Sequence, residues 1–305
     1  MQFARLFFLF ALCVITLVMK VILADVLGYC MGVRRAVECA GKALTENCGK
    51  KVYSLGPLIH NRIALENFAE KGLSILKSED ISSVENGSLV VIRAHGVPPF
   101  VLDELKGAGV EIIDATCPKV LASQKNAKKY AELGYTVILA GDANHGEVAG
   151  IAGYAGKKFI LVQGKDEAEN LPPLDDDENA VLLCQTTFSK IEFEQIVECL
   201  SGKIKNLKVL NTICSATKER QDALQELCPK VQGILVVGGK NSANTKRLFQ
   251  IAKENCNVAA LIETADEIPE QFFLLDSVGI TAGASTPNSV IEEVEDVLKN
   301  RAKKN

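Results

Sequence analysis

Val110-Glu-Ile-Ile-Asp-Ala-Thr-Cys-Pro118 decides how the chain is read. A short apolar run ends in a polar turn, and a cysteine is followed at once by proline. Proline fits the first position of a helix because its fixed φ suits the turn and its missing N–H is not needed there. The stretch therefore predicts a strand, a turn with Cys117 at its edge, and a helix. The layout occurs twice more. Val21-Ile-Leu-Ala24 leads to Gly28-Tyr-Cys30-Met-Gly-Val-Arg-Arg35, and Lys208-Val-Leu-Asn-Thr-Ile-Cys214 leads to Ser215-Ala-Thr217. Val33, Val37 and Leu44 after Cys30 recur at helical spacing, as do Ala223, Leu224 and Leu227 after Cys214.

Each cysteine opens a copy of a repeat of roughly ninety residues. Two further strand–turn–helix units follow in each copy. The second units are Val52-Tyr-Ser-Leu-Gly56 with His60-Asn61, Val137-Ile-Leu-Ala-Gly141 with His145-Gly-Glu147, and Ile234-Leu-Val-Val-Gly238 with Asn241-Ser-Ala-Asn244. The third are Leu89-Val-Val-Ile-Arg-Ala-His95, Val181-Leu-Leu-Cys-Gln-Thr-Thr187, and Val278-Gly-Ile-Thr-Ala-Gly-Ala-Ser285. Apolar strands alternating with amphipathic helices predict parallel sheets, because right-handed crossovers return each strand in the same direction. The expected fold is α/β, with three pseudo-symmetric domains at 19–115, 116–212 and 213–305. The marker residues then fall at carboxyl ends of strands, where open α/β sheets bind ligands.

Composition narrows the partners. The chain has 305 residues, a net charge of −4 and no tryptophan, so it lacks both a basic stripe and stacking platforms for nucleic acid. Any anionic ligand must be small and held by local geometry. Ten cysteines in a chain this long do not make a disulfide scaffold. Cys39, Cys184 and Cys199 sit in apolar contexts and read as small buried hydrophobes. At the N-terminus, Arg5 and the apolar run Leu6–Val18 are signal-peptide-like but too short for a comfortable membrane span. A cut after Ala24 would destroy the first strand, so the reading favours Met19 as the functional start. N-terminal mass spectrometry of the natural protein checks this.

Cys30, Cys117 and Cys214, if gathered at one point, make a soft metal site with one ligand missing. Structural zinc wants four protein ligands, often in C-x-x-C pairs, and no C-x-x-C occurs. A 4Fe–4S cluster on three cysteines leaves one iron open. Spacing alone leaves a shared metal site and three separate structural cysteines equally open. All three histidines of the chain, His60, His95 and His145, occupy marker turns. With Ser242, Asn244 and Ser285 they offer donors at helix amino ends, suited to a phosphate or diphosphate. Singly, such Ser and Asn residues are also ordinary helix caps. Glu147 is the only carboxylate among the markers and a candidate proton donor. Gly238-Gly239 lacks the spacing of a dinucleotide loop.

From Met19 onward the chain resembles the 4-hydroxy-3-methylbut-2-enyl diphosphate reductase family, which ends the methylerythritol phosphate route. The resemblance is carried by Gly28-Tyr-Cys-Met-Gly-Val-Arg-Arg-Ala36, His60-Asn61, Ala94-His-Gly-Val97, Asp114-Ala-Thr-Cys-Pro118, His145-Gly-Glu-Val148, Gln185-Thr-Thr187, Cys214, Lys240-Asn-Ser-Ala-Asn244 and Thr281-Ala-Gly-Ala-Ser285. It implies a trefoil of three α/β domains around a 4Fe–4S cluster on Cys30, Cys117 and Cys214. It further implies reductive loss of a hydroxyl group, giving isopentenyl and dimethylallyl diphosphates, with ferredoxin or flavodoxin as electron donor. Glu147 would relay protons, with Thr187 and His145 near the substrate hydroxyl. His60, His95, Ser242, Asn244 and Ser285 would bind the diphosphate. A cytoplasmic, reducing setting without stable membrane association is expected. Ala243 stands where many relatives carry serine, so any phosphate contact there must come from backbone. Two rivals fit the same residues: an iron–sulfur lyase using the metal as a Lewis acid, and a non-catalytic metal-dependent binding module.

Overall fold

The computed structural model describes residues 19–301; the apolar leader discussed above lies outside them. The chain enters on β1 (Lys20–Leu23) and α1 (Met31–Thr45), then runs through β2 (Val52–Leu55), α2 (Arg62–Glu70), β3 (Leu73–Leu76), β4 (Leu89–Ile92), α3 (Pro99–Gly107) and β5 (Glu111–Asp114). A second pass gives α4 (Pro118–Glu132), β6 (Thr136–Ala140), α5 (Gly146–Ala152), β7 (Phe159–Val162), α6 (Lys165–Asn170), β8 (Asn179–Cys184), α7 (Lys190–Ser201) and β9 (Asn206–Val209). The third contains α8 (Ser215–Leu227), β10 (Gly233–Val237), α9 (Ala243–Asn255), β11 (Val258–Ile262), β12 (Ser277–Ala282) and α10 (Asn288–Arg301).

These strands form three four-stranded sheets in the orders β3-β2-β4-β5, β7-β6-β8-β9 and β11-β10-β12-β1, and every pairing is parallel. The strand that precedes each cysteine is therefore an edge strand of the sheet formed by the preceding copy. For β5 and β9 that sheet is the one just completed. For β1 it is the last sheet of the chain, where Lys20 pairs with Ser277 and Leu23 with Ile280. One sheet holds β2–β5, a second β6–β9 and a third β10–β12 together with β1. Apolar periodicity predicts that Val21–Ala24 is a strand, but it carries no information about which edge accepts it.

The inner strands read as continuous apolar runs because both their faces are covered. In β4, Leu89 and Val91 enter one buried cluster with α1 and α2, while Val90 and Ile92 enter another with α3. The other sheets likewise carry one apolar cluster on each face. Among the described residues no helix is long and apolar enough to cross a membrane.

Leu182 at the centre of the second sheet is fully buried. Leu182→Ala should lower unfolding free energy by about 2–5 kcal/mol, through lost transfer energy and the cavity left behind. Urea denaturation followed by circular dichroism checks this.

Candidate functional site

The three cysteines occupy one structural role. Cys30, Cys117 and Cys214 are the N-cap residues of α1, α4 and α8, and none of their side chains makes a capping hydrogen bond. Elsewhere the cap position is used in the ordinary way: Asn61 accepts from Ala64 N–H, His145 Nδ1 from Glu147 N–H, and Ser242 Oγ from Thr245 N–H. The thiols thus remain available, each at the amino end of a helix. For Cys117, burial pushes the thiol above its ordinary value, and the N–H groups of Lys119 and Val120 offset part of that rise. Gly32 permits a close approach between copies, since a Cβ there would stand 2.5 Å from Cys117 Sγ.

All three cysteines line a single cavity, with about 720 Å³ between atoms, part of it open to solvent. His60, His95, His145, Glu147, Thr187, Ser242, Asn244 and Ser285 line it too. Every site residue named from the sequence is thus brought to one place, because each stands at the carboxyl end of a strand and the three sheets aim those ends inward.

The histidine rings pack against one another, tilted or edge to face, with centroids 4.6 Å (His60–His95), 5.1 Å (His95–His145) and 5.7 Å (His60–His145) apart. Their ligand atoms all lie within 4.8 Å of one another, close enough to hold one metal ion. This grouping was not foreseen from the sequence, which assigned metal binding to the cysteines alone. Burial drives protons off the cluster: His145 falls to about 4, His95 lies well below its ordinary value, and His60 is lowered. Arg93, which lowers all three, stands beside them with its buried Nε lacking a partner. Its guanidinium passes so close to Gly146 that a Cβ there would lie 2.6 Å from Nη2. A fixed cation beside neutral rings favours an anion over a second cation.

Donors remain unspent on this wall. Asn244 is 4 % exposed and its Nδ2 has no partner, while His95 Nδ1 is also unpaired and buried. Thr187 Oγ1 accepts from Gln185 Nε2 at 2.8 Å, which leaves its own proton free to donate. Ser285 differs: its hydroxyl donates to the His60 carbonyl at 3.0 Å and must rotate to serve a ligand.

Glu147 is buried, with Oε1 accepting from Thr186 N–H at 2.6 Å and Oε2 from Thr186 Oγ1 at 2.8 Å. Burial raises its carboxyl to about 7 against the opposing effect of those hydrogen bonds. The Thr186 hydroxyl can donate to the carboxylate or accept from the acid, so both protonation states keep a partner. The Thr186 carbonyl in turn accepts from Cys214 N–H at 2.9 Å and Thr217 Oγ1 at 3.1 Å, tying the acid to the third cysteine turn. The sequence reading passed over Thr186, although it lies between two quoted residues. It also passed over Arg93, two positions before His95, and the Arg247–Asp142 fork, whose N–O distances are 3.2 and 3.1 Å.

Fold and site together define a parallel α/β protein of three repeated units, with three thiols and a set of hydrogen-bond donors lining one cavity. The chain belongs to the LytB protein family, whose match covers residues 21–299. It is similar to the 4-hydroxy-3-methylbut-2-enyl diphosphate reductase of Treponema denticola, at 49% identity over 90% of this chain and 97% of that protein. The corresponding reductase of Caldanaerobacter subterraneus subsp. tengcongensis is 41% identical over 92% of this chain and 97% of its own length. Among solved structures, the E-1-hydroxy-2-methyl-but-2-enyl-4-diphosphate reductase from Plasmodium falciparum superposes with a TM-score of 0.87 at 27% identity, covering 92% of this chain and 87% of that one. A structure of (E)-4-hydroxy-3-methyl-but-2-enyl diphosphate reductase, the terminal enzyme of the non-mevalonate pathway, gives 0.67 at 37% identity, over 92% and 99%.

The raised Glu147 carboxyl has a thermodynamic consequence. Its folded value of about 7 exceeds the ordinary 4.5, so the stability it contributes is full below about pH 4.5 and is lost as pH rises through about 7. Glu147→Gln removes this loss. Urea titrations should show the variant gaining on the wild type as pH goes from 5 to 8, and a constant difference would contradict the assignment.

Proposed function

We propose that the chain reduces (E)-4-hydroxy-3-methylbut-2-enyl diphosphate to isopentenyl and dimethylallyl diphosphates. Two electrons and two protons enter, and the hydroxyl leaves as water. The observation that carries this reading is a single cavity lined both by three uncapped N-cap thiols and by the donors His60, His95, Ser242, Asn244 and Ser285. The donor set fits a 4Fe–4S cluster: three soft ligands, one per repeat, with no fourth cysteine among the described residues lining the cavity. Cys30, Cys117 and Cys214 would hold it. When bound, such a cluster supplies electrons one at a time and an iron with an open position toward the substrate oxygen. Ferredoxin or flavodoxin is the proposed electron source. A reducing, cytoplasmic setting suits a protein whose nine described cysteines are all free.

The chain's own residues do the rest. His60, His95, Ser242, Asn244 and Ser285 orient the diphosphate, and Arg93 contributes a permanent positive charge near it. Hydrogen bonds to a charged group contribute about 1.5–3 kcal/mol each, so four or five hold a trianion without a basic surface. His145 and Thr187 face the substrate hydroxyl. Glu147 holds a proton at its carboxyl near neutral pH, because burial disfavours the anion, and can deliver it to the departing oxygen. A metal ion on the three histidines is the competing reading, supported by their mutual distances alone.

Anaerobic purification with iron and sulfide analysis tests the site. We expect four irons per chain, lost in Cys117→Ser; one divalent metal that survives this substitution would favour the histidine centre. Glu147→Gln should keep its iron and lose turnover by about 10²–10⁴-fold, the usual weight of general acid catalysis. An intact rate would favour a binding module. Wild-type turnover should fall as pH rises above about 7, where Glu147 gives up its proton. Turnover of the hydroxylated diphosphate without any reductant would identify a lyase instead.

A further inference from the structure

Arg220, on α8 six residues beyond Cys214, is 3 % exposed and lines the same cavity. Its Nη1 donates to the Ala216 carbonyl at 2.8 Å within α8. Its Nη2 donates to the Gly28 carbonyl at 2.7 Å, 192 residues away, in the turn that leads from β1 to Cys30. Nε is buried and unpaired. These two bonds satisfy N–H groups but do not neutralise the charge, and a guanidinium does not give up its proton in proteins. An uncompensated charge out of water is strongly unfavourable. Among the described residues no carboxylate forms an ion pair with it. The negative groups acting on it are the thiols of Cys30 and Cys214, ahead of Glu219.

We propose that Arg220 is the counter-cation of the thiolate centre, a positioning residue that joins two cysteine turns and sets the reduction potential of the metal group they hold. The assignment rests on the reading of the three thiols as metal ligands. Each electron added to a thiolate-bound centre makes it more negative. A fixed positive charge beside two of the ligands therefore stabilises the reduced state more than the oxidised one. The Gly28 bond adds a geometric role, holding the Cys30 turn against the helix that Cys214 caps.

Arg220→Gln and Arg220→Lys separate charge from shape. The full-length holoproteins are purified anaerobically, assayed for iron and sulfide, and titrated with a chemical reductant while electron paramagnetic resonance reports the reduced centre. At the wild-type midpoint, Arg220→Gln should show a ratio of reduced to oxidised centre at least tenfold lower. Arg220→Lys, which keeps the charge and loses the fork, should titrate near the wild type. A Gln variant that retains its iron and the wild-type midpoint overturns the assignment. Where Gln loses the centre, the Lys variant decides: iron retained at a near-native midpoint supports a charge role, and iron lost from both marks a purely structural bridge and overturns it. Absence of iron from the wild type itself would sink the thiol-ligand reading and the assignment of Arg220 with it, whereas an unchanged midpoint in an iron-loaded Gln variant sinks the assignment alone.

Discussion

A parallel strand can hand its chain to a helix only through a turn at the strand's carboxyl end, and here that turn carries a thiol three times. The cysteine takes the N-cap position, where a serine or aspartate would spend its side chain on the helix's free N–H groups. The cysteine side chain makes no capping hydrogen bond, and the thiol lines the cavity at the amino end of its helix. Three such turns face one another because three copies of one four-stranded sheet surround them, each copy's entering strand completing the sheet before it. Closure depends on β1, which crosses from the start of the described chain to the edge of β12. Gly32 and Arg220 serve the same convergence, one by omitting a side chain and the other by bridging two turns.

The cavity keeps its electrostatics local. The chain is net negative, and its histidines are driven neutral by burial, yet the surroundings of those rings are positive in effect. Arg93, the helix amino ends and unpaired N–H groups such as Asn244 Nδ2 supply that character. Neutral rings have a further advantage, since each can donate a hydrogen bond without repelling the guanidinium beside it. Glu147 is the counterpart: the same burial that empties the histidines fills this carboxyl with a proton. One physical cause, desolvation, therefore sets opposite protonation shifts on adjacent groups, which is how an acid and its neutral partners coexist near pH 7.

Much of this was legible in the sequence because the candidate residues lining the cavity follow strand ends, which are marked by the switch from a continuous apolar run to a polar turn. Cys30, Cys117, Cys214, the histidines and Glu147 were all found that way. Three kinds of information were not. The partner edge of β1 depends on tertiary closure, which periodicity does not encode. Arg93 and Arg220 act through long side chains whose reach erases the link between sequence position and place in the cavity. Thr186 serves through backbone as much as side chain, and a residue type alone does not reveal that its N–H and carbonyl connect Glu147 to Cys214. The histidine trio was visible as three separate markers, but their mutual approach appears only in space.

The most direct test of the account is diffraction from anaerobically grown crystals at the iron absorption edge. The account predicts anomalous density between the sulfurs of Cys30, Cys117 and Cys214, with one face toward His145 and Glu147. A single peak at the three histidines, or no iron beside the thiols of freshly purified protein, would contradict it.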